Sequence, residues 1–209
     1  MEEYNIDKFK IFYHKNLDGG GTTFGINALD SVNVKKQIKS GNILEMCSGP
    51  GFMGFWTYCN EYAKKLFLLD INSENEEYIN KTIDYNATED DVKFKQSNVF
   101  DNFSDDIIFD TIVSNPPHFK TQRPGGYRSD NEKLISLDEN MEFHIKFFND
   151  VKKFMDKDSR IILVENCDGV TEEDIRELTK NDFRVELVEY NKYEWQGKST
   201  FYTIILYLL

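Results

Sequence analysis

The sequence lacks the apolar runs and leader features of a chain that enters a membrane. No apolar run approaches the roughly 20 residues that a bilayer-spanning helix needs. The start, Met1-Glu2-Glu3-Tyr4, is acidic and is followed by no apolar stretch, so a secretory signal is not expected. The three cysteines, Cys47, Cys59 and Cys167, are an odd number without metal-ligand spacing. They predict reduced thiols in a cytoplasmic protein and no metal site.

Positive charge is in short supply. Lysine and arginine number 25 against 37 aspartate and glutamate residues, which gives a formal net charge of −12 at pH 7. Proteins that bind a phosphate backbone gather cations into a patch. The densest basic cluster here, Lys35-Lys36-Gln37-Ile38-Lys39, also fits the solvated face of a short helix. The charge therefore favours a small molecule, a peptide or a protein as the partner, especially a cationic one, and leaves nucleic acid open. No sequence feature indicates an oligomeric state.

Internal repeats and proline- or glycine-rich linkers are also missing, which predicts a single domain. With 209 residues, of which 40% are hydrophobic and 17 are phenylalanine, the chain suffices for one α/β domain with a large core. Short apolar runs alternate with helical patterns. Ser73 and Thr171 are the expected N-caps of two of the helices. Strands are predicted at 42–46, 66–70, 92–95, 107–114 and 161–164, and helices at 52–63, 73–86, 140–155 and 172–180.

The end of the sequence breaks this alternation. Residues 183–190 and 200–209 are strand-like runs joined by a turn near Gln196-Gly197-Lys198, with no helical pattern between them. The predicted fold class is therefore α/β, with a doubly wound, mainly parallel seven-stranded sheet and a C-terminal antiparallel hairpin strand. Residues 1–40 are assigned to an N-terminal cap or substrate segment, and residues 41–209 to the cofactor-binding and catalytic core.

A glycine-rich turn follows the first predicted strand. Its sequence is Glu45-Met46-Cys47-Ser48-Gly49-Pro50-Gly51-Phe52-Met53-Gly54. Gly49 and Gly51 would let the backbone approach a ligand, and the helix start behind them offers free N–H groups. Asp70, at the tip of the next strand, can accept hydrogen bonds from both hydroxyls of a ribose. A nicotinamide dehydrogenase shares the glycine-rich turn and this acid, so it is one interpretation of the pattern.

The same segment resembles the glycine-rich motif of class I S-adenosylmethionine-dependent methyltransferases, Glu-x-x-x-Gly-x-Gly-x-x-Gly, which it matches at Glu45, Gly49, Gly51 and Gly54. The resemblance implies S-adenosylmethionine as the cofactor, with its ribose at Asp70, its adenine against Ile71, and its adenine amino group at Asn98, where the family often has aspartate. The cofactor-binding residues it implies are Glu45, Cys47, Gly49, Gly51, Asp70, Ile71, Asn98, Val99 and Asn115. The glutamate before the first glycine and the helix-free terminal hairpin favour this family over a dehydrogenase.

A second turn, Asn115-Pro116-Pro117-His118, follows the fourth predicted strand. Proline cannot donate to a sheet ladder, so the strand ends there, at the sheet edge where ligands of open α/β sheets bind. The Asn115 side-chain oxygen and a backbone carbonyl of the turn can accept both hydrogens of an NH2 group, which aims the nitrogen lone pair at a methyl sulfonium. The turn resembles the Asn-Pro-Pro-(Tyr/Phe/Trp) signature of amino-methyltransferases. That resemblance implies methyl transfer to a planar amino or amide nitrogen, with Asn115, Pro116, Pro117 and His118 as the catalytic set.

His118 departs from that signature, which has an aromatic ring at the fourth position. It can stack as a neutral imidazole, donate a hydrogen bond or act as a base; alternatively, Phe119 does the stacking. In a second interpretation the prolines only end a strand, His118 lies on the surface, and the methyl group goes to oxygen or another atom. Bases of rRNA, tRNA or DNA are the alternative substrates for nitrogen transfer. A cofactor-binding module without catalysis is the alternative of a different class.

Two other segments are candidates for the substrate site. The connection 117–139 is long enough to be a substrate lid, and Arg123, Tyr127 and Arg128 are candidate contacts within it, unless the arginines are only solvated. The glycine cluster within residues 18–25 cannot be a helix interior. It is either a flexible loop or, as the resemblance to the methyltransferases implies, part of a cover over the cofactor that includes Tyr13, His14 and Phe24. His144, in the middle of a predicted helix, is expected to be packed or on the surface rather than catalytic.

Overall fold

A β-sheet with helices on both faces forms the body of the protein. The computed structural model describes residues 1–104, 106–122, 125–192 and 200–209. The strands are β1 (Glu2–Ile6), β2 (Phe9–Tyr13), β3 (Gly41–Met46), β4 (Ala63–Asp70), β5 (Val92–Gln96), β6 (Thr111–Ser114), β7 (Arg160–Asn166), β8 (Phe183–Lys192) and β9 (Thr200–Leu208). The α-helices are α1 (Ile26–Asp30), α2 (Val32–Lys35), α3 (Phe52–Cys59), α4 (Asn75–Asn86), α5 (Asp130–Ser136), α6 (Glu142–Asp150) and α7 (Glu172–Thr179).

The main sheet confirms the predicted fold class. Within the described ranges it contains seven strands in the order β5-β4-β3-β6-β7-β9-β8. The pairs from β5 to β7 are parallel, and β9 runs antiparallel between β7 and β8. The turn predicted near residues 196–198 lies outside the described residues. Over the described ranges, no helix is long and apolar enough to cross a membrane.

Both faces of the sheet are buried, because successive side chains of a strand point to opposite sides. In β3, Ile43 belongs to the core that α3 covers with Phe55. Leu44 and Met46 belong to the opposite core, which α6 covers with Phe147. This two-sided burial explains the continuous apolar runs of the parallel strands. It leaves the carboxyl ends of the strands as the edge at which polar side chains can meet a ligand.

Two predicted boundaries in the first half are wrong for local reasons. The helix predicted over 52–63 ends at Cys59, where the Asn60 side-chain amide donates to the carbonyl of Trp56 at 2.8 Å and ends the helical pattern. The helix predicted to start at Ser73 starts at Asn75. The side chain of Asn72, rather than that of Ser73, accepts the free backbone N–H of Glu74 at 3.0 Å.

Two further boundaries change in the second half. The strand predicted from residue 107 begins at Thr111, because Asp110 turns its carboxylate to the backbone N–H of Asn42 at 2.9 Å. The helix predicted over 140–155 is α6 followed by a tighter turn of 3-10 helix at Val151–Phe154. The predicted cap at Thr171 is confirmed: its side chain accepts from the backbone of Asp174, and Asp174 accepts from the backbone of Thr171.

Regular structure also occurs where the sequence predicted a cap segment and a loop. Strands β1 and β2 form an antiparallel hairpin that packs on α4, where the backbone of Phe12 donates to the hydroxyl of Thr82 at 3.0 Å. The connection 117–139 contains α5, and backbone hydrogen bonds join the two ends of this connection. The backbone of Phe119 donates to Ser136 and the backbone of Asp138 donates to Phe119, each at 2.9 Å.

Candidate active site

The carboxyl ends of β3, β4 and β6 open onto a cavity of about 420 Å³. Small-molecule sites span roughly 300–1,000 Å³, so the cavity can hold a nucleoside cofactor or a substrate of similar size. It brings together turns that lie far apart in the sequence. The predicted cofactor residues in its wall are Glu45, Cys47, Gly49, Asp70, Ile71, Asn98, Val99 and Asn115. Gly51, also predicted, lies just behind the wall at the start of α3.

The glycine-rich turn needs glycine at two positions for backbone reasons. Gly49 has a φ of 51° and Gly51 a φ of 87°, both in the left-handed region that glycine adopts without strain. A Cβ at Gly51 would also come within 2.8 Å of the Phe55 ring. The turn is closed by the backbone N–H of Gly51, which donates to the carbonyl of Ser48 at 2.8 Å. This conformation lets the turn pass along the cavity wall.

Glu45 joins β3 to the first turn of α3. Its carboxylate accepts the backbone N–H of Met53 at 3.2 Å and that of Gly54 at 2.7 Å, and only 3% of the residue is exposed. Burial raises the pKa of Glu45 to about 8, although these two N–H groups oppose the shift. A Cβ at position 54 would lie 2.8 Å from a Glu45 oxygen. The glutamate and the third glycine of the motif therefore fit each other, and both carboxylate oxygens of Glu45 bind backbone.

Asp70 connects the tip of β4 to the glycine-rich turn. One carboxylate oxygen accepts the backbone N–H of Gly49 at 2.6 Å, and the other accepts that of Asn72 at 2.8 Å. Burial raises the pKa of Asp70, and the two N–H groups oppose the shift. A carboxylate has about four lone-pair sites, so Asp70 can still accept a further donor such as a ribose hydroxyl. The adjoining Ile71 is 47% exposed in the cavity wall and offers an apolar surface to a planar ring.

Asn115 has one end of its amide fixed and the other end free of protein partners. Its Nδ2 donates to the backbone carbonyl of Gly19 in the N-terminal segment at 3.0 Å. Its Oδ1 is buried and has no hydrogen-bond partner among the described residues. A backbone carbonyl only accepts hydrogen bonds, so the carbonyl of Gly19 must face the NH2 end of the Asn115 amide. The oxygen end of the amide is then the one that remains for a ligand. Asn115, a residue of the cavity wall, therefore has an acceptor oxygen that is unpaired within the part of the chain that the structure describes.

His118 is buried beneath the turn, so its placement on the surface in the second interpretation is wrong. The residue is 8% exposed, and its Nδ1 lies 2.9 Å from a carboxylate oxygen of Glu165. Its ring meets the ring of Phe201 edge to face, with centroids 5.7 Å apart. Gly169 packs so closely that a Cβ there would lie 2.2 Å from the His118 carbonyl oxygen. Pro117, unlike His118, belongs to the cavity wall.

Glu165 also contacts His144, which the sequence predicted to be packed or on the surface. The two groups are 2.9 Å apart, and the other ring nitrogen of His144 lies 2.5 Å from Asp138. Burial lowers the pKa of His144, but the two carboxylates outweigh it and raise the pKa to about 9. His144 is fully buried, which confirms that it is packed. In the described part of the chain, no group of three or more His, Cys, Asp or Glu residues is arranged to hold a metal ion.

Most of the predicted substrate residues lie outside the cavity wall. Phe119 pairs with Leu137 in an isolated β-bridge, and Arg128 is exposed and bonded to Glu132. Tyr127 is described but is not part of the wall, and Arg123 lies outside the described residues. In the N-terminal segment, Tyr13 packs edge to face on Phe52, His14 accepts from the backbone of Asn16, and Phe24 stacks on Phe201 with centroids 4.1 Å apart.

Other residues take the places predicted for these side chains. The N-terminal segment contributes Leu17, Gly19 and Gly21 to the wall, and α5 contributes Leu134 and Ile135. A sequence signal for α5 existed, because Ser129 and Glu132 have the spacing of a capping box, and the Ser129 side chain accepts from the backbone of Glu132. Asn75 was also missed: it lines the cavity, and its buried Oδ1 has no partner among the described residues.

Residues 6–128, more than half of the chain, match the family model described as the methyltransferase small domain. The chain belongs to this family. It is an S-adenosylmethionine-dependent methyltransferase, so a dehydrogenase and a non-enzymatic module are set aside. No curated protein matches the sequence at a significant level.

Solved structures similar to this methyltransferase share its fold at low sequence identity. TrmK from M. capricolum, in complex with S-adenosylhomocysteine, is 11% identical with a TM-score of 0.64, over 88% of this chain and 68% of that one. A ribosomal protein L11 methylase from Lactobacillus delbrueckii subsp. bulgaricus is 13% identical with a TM-score of 0.60, over 90% and 79%. A tRNA m1G37 methyltransferase from M. jannaschii is 14% identical with a TM-score of 0.59, over 99% and 54%.

Proposed function

We propose that this methyltransferase transfers the methyl group of S-adenosylmethionine to a planar amino or amide nitrogen. The observation that carries the proposal concerns Asn115, a residue of the cavity wall, whose Oδ1 is buried and has no partner among the residues that the structure describes. A buried polar oxygen without a partner is costly, so the site favours a ligand that donates a hydrogen there. An NH2 group supplies such a hydrogen and has a second one for a backbone carbonyl of the turn.

The residues of the cavity fit the cofactor. Asp70 has acceptor capacity for the ribose, the exposed side chain of Ile71 offers a surface for the adenine, and Asn98 can accept from the adenine amino group. The cofactor supplies a methyl group on a positively charged sulfur. The protein positions the acceptor: Gly19 holds the Asn115 amide, which in turn holds the acceptor nitrogen with its lone pair directed to the cofactor. Positioning of this kind supplies most of the rate when the electrophile is already activated.

For the acceptor molecule, we favour a small molecule, a peptide or a protein that carries an amine or a cationic group. The net charge of −12 opposes binding to a long phosphate backbone. Nucleobases are the second candidate, because tRNA methyltransferases occur among the similar structures. The three free cysteines support a reducing compartment such as the cytoplasm.

Labelled methyl transfer tests this function. Purified enzyme and tritiated S-adenosylmethionine are incubated with fractionated cell extract, with and without ribonuclease or protease, and the methylated atom of the product is then identified. Methylation at nitrogen supports the proposal, and methylation at oxygen or carbon contradicts it. Loss of label from the fraction after ribonuclease alone would select the nucleobase candidate.

A variant pair tests the role assigned to the amide oxygen. Asn115→Ala is expected to abolish transfer while its affinity for S-adenosylhomocysteine stays within a few fold of the wild type, because the cofactor contacts at Asp70 are intact. Asn5→Ala, the same change on the exposed side of the β1–β2 hairpin, serves as the control and is expected to behave as wild type. Unchanged transfer by the Asn115 variant would show that the turn is only structural.

A further inference from the structure

A buried chain of four ionisable side chains runs beneath the Asn115–His118 turn. Asp138 follows α5, His144 belongs to α6, Glu165 to β7, and His118 ends the turn. The contacts are 2.5 Å from Asp138 to His144, 2.9 Å from His144 to Glu165, and 2.9 Å from Glu165 to His118. Each of the four residues is at most 8% exposed. The resemblance to the Asn-Pro-Pro group does not account for three of them.

The order of groups in the chain determines where the protons are. An ionised carboxylate only accepts hydrogen bonds, so a histidine with a carboxylate at each ring nitrogen donates through both and is an imidazolium. His144 is placed in this way, and its raised pKa agrees with the geometry. The second oxygen of Glu165 then accepts from Nδ1–H of His118. This contact fixes the ring orientation and the tautomer of His118.

One end of this chain of side chains lies in the cavity wall, and the other end lies next to a residue of the wall. Asp138 is itself part of the cavity wall, and it also accepts the backbone N–H of Phe143 at 2.6 Å. At the other end, His118 directly follows Pro117, another residue of the wall. The chain therefore spans from α6 through β7 to the turn that contains Asn115.

Stability alone is a weak explanation for such a chain. Desolvation of buried charges costs about as much as their attraction returns, and well-packed apolar residues of similar volume often do equally well or better. What buried polar contacts supply in addition is a defined geometry. We propose that Asp138, His144 and Glu165 are positioning residues of the methyl-transfer site, which hold the Asn115–His118 turn against the cofactor cavity through His118. This inference rests on the proposed function.

Two variants test whether the chain of side chains acts through its hydrogen-bond geometry rather than through its charges or through the stability of the fold. In His144→Gln, the amide has one NH2 group and one oxygen, so its oxygen must face the carboxylate of either Asp138 or Glu165. Both groups only accept hydrogen bonds, and one of the two contacts is therefore lost. In the double variant His144→Gln, Glu165→Gln, the amides can donate and accept in sequence from Asp138 to His118, which restores every contact without the charges of His144 and Glu165. Glu177→Gln, on the exposed side of α7, is the control. The rates are measured with the acceptor that the labelled methyl-transfer experiment identifies, well below the unfolding temperature of every variant.

The single variant is expected to lower kcat by roughly 10- to 100-fold, the cost of a small misplacement of the reacting groups. Its affinity for S-adenosylhomocysteine should stay within about twofold of wild type, since the cofactor residues are elsewhere. The double variant should recover most of the kcat. A wild-type kcat in the single variant would mean that the buried chain of ionisable side chains has only a structural role. A double variant as slow as the single one would also overturn the proposal, because restored hydrogen-bond geometry would then not restore the rate.

A spectrum of the unmodified enzyme keeps the inference testable if a variant does not fold. The sequence has only three histidines, so 15N-labelled histidine gives a spectrum that can be assigned. At pH 7, His144 should carry protons on both nitrogens, and Nδ1 of His118 should carry the proton that it donates to Glu165. A neutral His144, or a His118 that exchanges between tautomers, would contradict the proposal. This result does not depend on which atom is methylated, so failure of the inference and failure of the proposed function are distinguishable.

Discussion

Replacement of Asp70 by asparagine is the sharpest probe of the cofactor site. The two oxygens of Asp70 each accept a backbone N–H, at 2.6 Å from Gly49 and 2.8 Å from Asn72. An amide has a single oxygen, so in Asp70→Asn an NH2 group must face one of these N–H donors. The ribose loses an ionised acceptor at the same time. A hydrogen bond to a charged group contributes about 1.5–3 kcal/mol, so the Kd for S-adenosylhomocysteine should rise roughly 10- to 100-fold.

Titration calorimetry at pH 7.5 measures this change directly. Asp91→Asn is the matched control: its carboxylate binds Lys65 at 2.8 Å, at the start of β5 and away from the carboxyl edge of the sheet. The control should bind the cofactor product like the wild type. The global stability of the Asp70 variant should change little, because loss of the backbone contact is offset by removal of a buried charge. An unchanged Kd in Asp70→Asn would refute the assignment of the ribose to this carboxylate.

Three further changes test contacts around the site. Gly54→Ala should lower the free energy of unfolding by about 1–3 kcal/mol in a denaturant titration, because the added Cβ would lie 2.7 Å from Leu68 in a packed core. His144→Gln should lower the free energy of unfolding most below pH 6.5, and this loss should shrink as the pH rises through about 9. The reason is that the folded protein favours the imidazolium of His144, whose pKa is raised to about 9. A loss that does not change with pH would contradict the assignment of an imidazolium to His144. Asn131→Ala removes the side-chain contact between α5 and Glu74 at 2.9 Å. This change should speed the release of S-adenosylhomocysteine in a stopped-flow displacement experiment. An unchanged release rate would show that this contact of α5 does not control the exchange of the cofactor.

The order of the core elements could be predicted because it depends on local signals. Continuous apolar runs such as Leu66–Asp70 indicate strands that are buried on both faces, and Asn115-Pro116-Pro117 has to end a strand. The glycine-rich turn and Asp70 could be assigned to one cavity because strands of a parallel sheet end at the same edge. The structure places both there.

The second half of the site depends on contacts that leave little trace in the sequence. His144 occupies an ordinary helical position, and only the fold brings it between Asp138 and Glu165, which are 6 and 21 residues away. The ring of His118 turns under the strand end because Glu165 on β7 offers a buried acceptor. Tyr13, His14 and Phe24 were chosen as substrate contacts by residue type, whereas the wall is made by small residues beside them, such as Gly19 and Gly21.

The hydrogen bond from Asn115 to Gly19 spans 96 residues of sequence. A shortened version of the enzyme that starts just before β3 would keep every strand of the main sheet and the whole glycine-rich turn. Its Asn115 amide would lose the partner of its Nδ2. If that amide binds the acceptor nitrogen as proposed, the orientation of the acceptor depends on a stretch that carries none of the recognisable sequence motifs of this enzyme.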